Sequence, residues 1–116
     1  MTDRLFRIAE LNDRVRLGRD PEARVVMTAT CLAVLAGNGG FVSEALAQAE
    51  ILGAAARHDF GSDAIGERNS GEFIIRGHTV RFVIDYYDRT LEWGSEDPAD
   101  PALTTRVLTF MLPKDD

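Results

Sequence analysis

The strongest constraint on this chain is a change of hydrophobic period partway along it. In residues 79–87 apolar and polar side chains alternate, with Val80, Phe82, Ile84 and Tyr86 facing one way and Arg81, Val83, Asp85 and Tyr87 the other. That two-residue period belongs to a β-strand with one face buried. Residues 72–76 form a second strand-like run, and Gly77-His78 joins the two. Gly77 supplies the positive φ of a tight hairpin turn. Residues 104–112 are dense in β-branched and large apolar side chains and predict the last strand. A short returning strand is expected at Leu91–Trp93, after a turn at Asp88-Arg89.

The first half is helical in period. Leu5, Ile8, Leu11, Asn12 and Val15 recur three and four apart, behind Thr2 as a cap and Asp3 in the first turn. Gly18 and Asp20-Pro21 stop that helix. Residues 24–31 alternate as a strand that includes Cys31, and Gly37-Asn38-Gly39-Gly40 breaks the chain. Ser43 then caps a second helix to about Ala56, packed through Leu46, Ala49, Leu52, Gly53 and Ala56. Residues 58–60 re-enter the sheet and 61–71 form a polar, glycine-containing loop. The tail from Lys114 is expected to fray.

The fold expected is therefore α+β. Two helices pack on one face of a mainly antiparallel sheet of about four to five strands, in the order α-β-α-β-β-β-β. A length of 116 residues suits a single domain, 1–116. One cysteine excludes an internal disulfide. The N-terminus carries charges and no apolar leader segment, and no apolar run is long enough to span a bilayer, so a cytoplasmic protein is expected, with no membrane as partner.

The formal net charge is −6. Up to Arg24 six arginines meet five acids, whereas beyond it seven basic residues meet fourteen acidic ones. Such a surface repels phosphates and favours basic partners, which argues against direct nucleic-acid binding.

Three stretches resemble a family of small bacterial proteins classed as a domain of unknown function: His58-Asp59-Phe60-Gly61, Ile84-Asp85-Tyr86-Tyr87-Asp88-Arg89-Thr90, and residues 94–101 leading into Thr104-Thr105-Arg106-Val107-Leu108-Thr109. Members look like plasmid and other mobile-element proteins of proteobacteria. The resemblance implies a setting in mobile DNA and evasion of host defence, and supplies no reaction.

The residues themselves offer three functional readings. In the first, Tyr87, Asp88, Trp93, Glu96, Asp97 and Asp100 form a binding patch in which an aromatic anchors and carboxylates meet arginine or lysine. The partner expected is a host protein with a basic surface, such as a defence nuclease or CRISPR effector, bound without catalysis or cofactor. In the second, His58, Asp59, Asp85 and Asp88 form an acid–base or metal cluster of a small hydrolase or nuclease. Their spacing matches no metal or triad motif, and two histidines with one apolar-flanked cysteine are a poor zinc set. In the third, the chain is a homo-oligomer, a homodimer for instance, paired through an exposed edge at residues 104–112.

Overall fold

The computed structural model describes residues 2–115. Helix α1 (Thr2–Arg16) is followed by strand β1 (Arg24–Met27), helices α2 (Ala29–Ala36) and α3 (Gly40–Ala56), and strands β2 (Ser70–Ile75), β3 (His78–Tyr87) and β4 (Thr105–Met111). The strands form one sheet in the order β1-β4-β3-β2. β2, β3 and β4 are antiparallel, whereas β1 runs parallel to β4. The α+β class holds, with three helices rather than two and four strands in a mixed sheet.

The β2–β3 hairpin forms as its alternation requires. Its two-residue loop is Arg76-Gly77, one residue earlier than the expected Gly77-His78, with φ of 52° and 82° and Ile75 paired with His78. Positive φ at both positions matches the right-handed twist of the strands. β3 pairs onward with β4, placing Phe82 beside Phe110 and Ile84 beside Leu108. These four side chains and Val80 are buried against Val15 of α1, Cys31 and Leu35 of α2, and Ala47, Ile51 and Ala55 of α3. One sheet face thus carries the core. The other presents Val26, Val83, Tyr87, Val107 and Thr109, with no α-helix over them among the described residues.

Four expectations need correction. The strand that begins at Arg24 ends at Met27, because the Thr28 hydroxyl accepts from the Cys31 amide at 3.2 Å and caps α2. Cys31 is buried as expected, but on a helix. Ser43 does not cap α3; Gly39 occupies that position and the Ser43 hydroxyl donates to Ala36 O at 2.6 Å, tying α3 to the end of α2. The face of α3 that packs is Ala47, Ile51 and Ala55, while Leu46, Ala49 and Leu52 are exposed. Residues 58–60 do not rejoin the sheet but lead into a 3-10 turn, Gly61–Ile65.

Two further readings change in the second half. No strand forms at Leu91–Trp93; only an isolated bridge joins Tyr87 to Gly94. β4 lies between β1 and β3, so it is no edge, and the oligomer expected through residues 104–112 has no free ladder to use. At the C-terminus Asp115 closes a turn by accepting from Leu112 N and from the Thr28 hydroxyl, each at 3.1 Å. The Thr2 side chain and Asp116 lie outside the described residues.

Candidate binding surface

The segment between β3 and β4, residues 88–104, is organised by its own carboxylates. Asp88 Oδ1 accepts from Thr90 N at 3.1 Å, Thr90 Oγ1 at 2.8 Å and Glu92 N at 3.2 Å. These bonds, that of the Thr90 side chain foremost, hold Asp88 below its usual carboxylate range. Asp97 Oδ1 accepts from Ala99 N at 3.1 Å and from Arg4 at 2.9 Å, and Asp100 Oδ1 accepts from Ala102 N at 2.9 Å. Each is a local turn stabilised by a short acidic side chain. Arg89 pairs with Glu22, which fastens the segment to the turn after α1.

A buried polar group anchors the base of this loop. Arg106 is only 3% exposed. It donates through Nε to Asn12 Oδ1 at 2.7 Å and through Nη2 to Pro98 O at 2.5 Å, and its guanidinium lies 4.9 Å from the Tyr86 ring centre. Asn12 Nδ2 in turn donates to Tyr86 Oη at 2.8 Å and Glu67 O at 3.1 Å, and Tyr86 Oη donates to Glu67 Oε1 at 2.6 Å. Burial, and then the Glu67 bond, raise the Tyr86 pKa, so the phenol stays protonated. Burial lowers the Arg106 pKa from its very high reference value. Asp85 points to the other face, since its register neighbour is Val107 and that of Arg106 is Tyr86.

On this base stands Trp93, 73% exposed. It lines a groove of about 270 Å³ with Asp88, Arg89, Gly94, Glu96 and Leu103. Glu96 is exposed and makes no ion pair among the described residues. The expected binding residues therefore separate. Trp93, Asp88 and Glu96 share one groove. Tyr87 lines another, of about 360 Å³, with Arg24, Val26, Leu91 and Val107 on the uncovered sheet face. The Asp97 and Asp100 carboxylates are occupied by their turns. Leu103 was not marked by sequence, because a lone leucine in an irregular loop has no periodicity to flag it.

The suggested acid–base cluster is not assembled. His58 packs among Phe60, Phe73 and Phe82 on the core face, with ring centres 4.6, 6.4 and 5.4 Å away. Burial, then the Arg16 charge, lower its pKa against an opposite pull from Asp59. Asp59 caps Gly61 N at 2.9 Å, Asp85 is exposed on the opposite sheet face, and Asp88 sits at the sheet end. Among the described residues no group of three or more His, Cys, Asp or Glu is placed to hold a metal ion. Among them too, no single helix is long and apolar enough to cross a membrane.

No curated protein and no solved structure matches the chain. A protein family of unknown function, DUF3768, matches residues 40–115, a span that takes in α3, the β2–β3 hairpin, the Trp93 loop and β4. With that match extending over well more than half its length, the chain belongs to the DUF3768 family.

Proposed function

We propose that the chain is a non-enzymatic binding module of a mobile genetic element, which docks its Trp93 groove on the basic surface of a host protein. The specific form to test is inhibition of a host defence system, of the anti-CRISPR or antirestriction kind, through a defence nuclease or CRISPR effector. The observation that carries the reading is the exposure of Trp93 on a loop whose backbone is held by Asp88, Asp97, Asp100 and Arg106. A large ring kept in solvent by a rigid loop loses little entropy on docking, and tryptophan is the residue most enriched among interface hot spots. Glu96 beside it, unpaired within the described residues, offers a carboxylate to arginine or lysine.

The test is a pull-down from cells carrying CRISPR and restriction systems, with Trp93→Ala and Glu96→Lys variants alongside. The native chain should retain an identified defence nuclease, and Trp93→Ala should weaken it by about 30-fold or more, as loss of a hot-spot side chain does. Retention unchanged in both variants would refute the groove as the docking surface.

A further inference from the structure

Helix α3 is apolar on two faces, and only one of them is buried. Ala47, Ile51 and Ala55 enter the core. On roughly the opposite side, Val42, Ala45, Leu46, Ala49 and Leu52 lie in solvent. Leu46 is 56% exposed, Leu52 43%, and Phe41 at the start of the stripe 84%. A contiguous apolar stripe left in solvent on one helix face marks an interaction surface. No charge interrupts the stripe, and Glu50 at its edge is paired with Arg76.

Charge narrows the occupant. α3 contains two glutamates and no lysine or arginine, with Arg57 the single cation at its C-terminal end, in a chain of net charge −6, whereas helices that lie on lipid surfaces carry a polar face rich in lysine and arginine. A partner chosen by its charge finds nothing along the stripe to hold. A second copy of the stripe does fit. Set antiparallel about a two-fold axis, Ala45 meets Ala49 of the other copy, Val42 lies level with its Leu52, and Phe41 with its Gly53. The alanines permit close approach of the two backbones. Arg57 completes the match: its Nη1 lies 2.9 Å from where a Gly53 Cβ would stand, and it has no ion-pair partner among the described residues. The Phe41 ring of the second copy supplies that cation with an aromatic face. Antiparallel packing also sets the two helix dipoles head to tail.

We propose that the Phe41–Leu52 stripe of α3 is the interface of a two-fold homodimer. A 17-residue helix is about 25 Å long, so one helix pair buries less than the roughly 800 Å² per partner of a standard interface. The dimer is accordingly concentration-dependent. It uses a surface distinct from the Trp93 groove and stands whether or not that groove binds a host protein.

Sedimentation velocity over a micromolar concentration series tests it. The native chain should pass from the mass of one chain to that of two. Leu46→Glu should remain a single chain throughout, with an unchanged melt at the lowest concentration because Leu46 lies outside the core. Trp93→Ala should dimerise as the native chain does. An equimolar mixture of Ala45→Cys and Ala49→Cys chains should form disulfide-linked dimers faster than either variant alone; Cys31 is buried and adds no background. A single-chain mass at every concentration would overturn the proposal, as would a dimer that Leu46→Glu leaves intact. Binding of the monomeric chain to neutral lipid vesicles, lost in Leu46→Glu, would assign the stripe to lipid instead and equally overturn it.

Discussion

Asn12→Ala should destabilise this protein far more than an ordinary polar-to-alanine change in a helix. Asn12 is fully buried and satisfies three partners: the Arg106 guanidinium, the Tyr86 hydroxyl and the Glu67 carbonyl. The Arg106 bond is charge-assisted and contributes about 1.5–3 kcal/mol, while the two neutral bonds add about 0.5–1.5 kcal/mol each. Tyr86 retains its bond to Glu67, and Arg106 its bond to Pro98 O, so part of the network survives. A net loss of about 3 kcal/mol follows. For a chain of this size about 4 °C of melting temperature accompanies each kcal/mol, so the transition should fall by about 12 °C. Urea titration followed by circular dichroism measures the free energy directly, and the Asn12→Ala/Arg106→Met double-mutant cycle isolates the buried contact. Once Arg106 is methionine no guanidinium is left without an acceptor, and Asn12→Ala should then cost about 1.5–3 kcal/mol less than in the native background. A cost below about 1 kcal/mol for the single change, or a coupling near zero, would refute the view that this network holds α1 to the sheet and the loop.

Two other predictions concern His58 and its surroundings. A Cβ at Gly71 would lie 2.6 Å from His58 Nε2 and 2.8 Å from Phe82 Cε2, so Gly71→Ala should cost about 1–3 kcal/mol by overpacking, read in the same urea titration. A variant as stable as the native chain would show that the ring cluster has room to spare. Burial and Arg16 lower the folded pKa of His58 below the ordinary value of about 6.5, so the fold takes up fewer protons than the unfolded chain in that range. The stability this represents is present above that value and is lost as pH falls through the lower folded value, by at most about 1.4 kcal/mol per pH unit. Asp13, which burial would raise but Arg68 and Arg16 hold below its usual range, loses its contribution only at more acid pH. Unfolding free energies at pH 7 and pH 5 should therefore differ less in His58→Gln than in the native chain, and equal differences would sink the assignment.

What could be read from sequence, and what could not, follows from where the deciding interactions lie. The hairpin was legible because both of its determinants are local: alternation along β3 and a glycine at the turn. α1 was legible for the same reason from Ile8 to Val15, Asn12 included, although Leu5 at the start of the expected stripe is exposed. β1 was misread at its end because Thr28 and Thr30 suit a strand as well as a cap, and only the Thr28–Cys31 bond decides between them. At the Trp93 loop, composition marked the acids and the ring but could not separate carboxylates spent on turns from one left open. Asp88, Asp97 and Asp100 each accept from an amide two residues on, whereas Glu96 has one more methylene and makes no such bond. α3 is the most instructive case. Its sequence has two apolar faces, and no periodicity can rank them. The face with the larger leucines was the natural choice for the core, yet the sheet selected Ala47, Ile51 and Ala55. Those three side chains share one core cluster with Phe82 and Phe110, whose ring centres lie 6.4 Å apart, and two of the three are alanines that fit beside such bulky rings. The leucines were thereby left in solvent, where burying them against a second α3 would stabilise an assembly rather than the fold. Sequence pattern told which residues seek burial; only the packed sheet told which of them the single chain could accommodate.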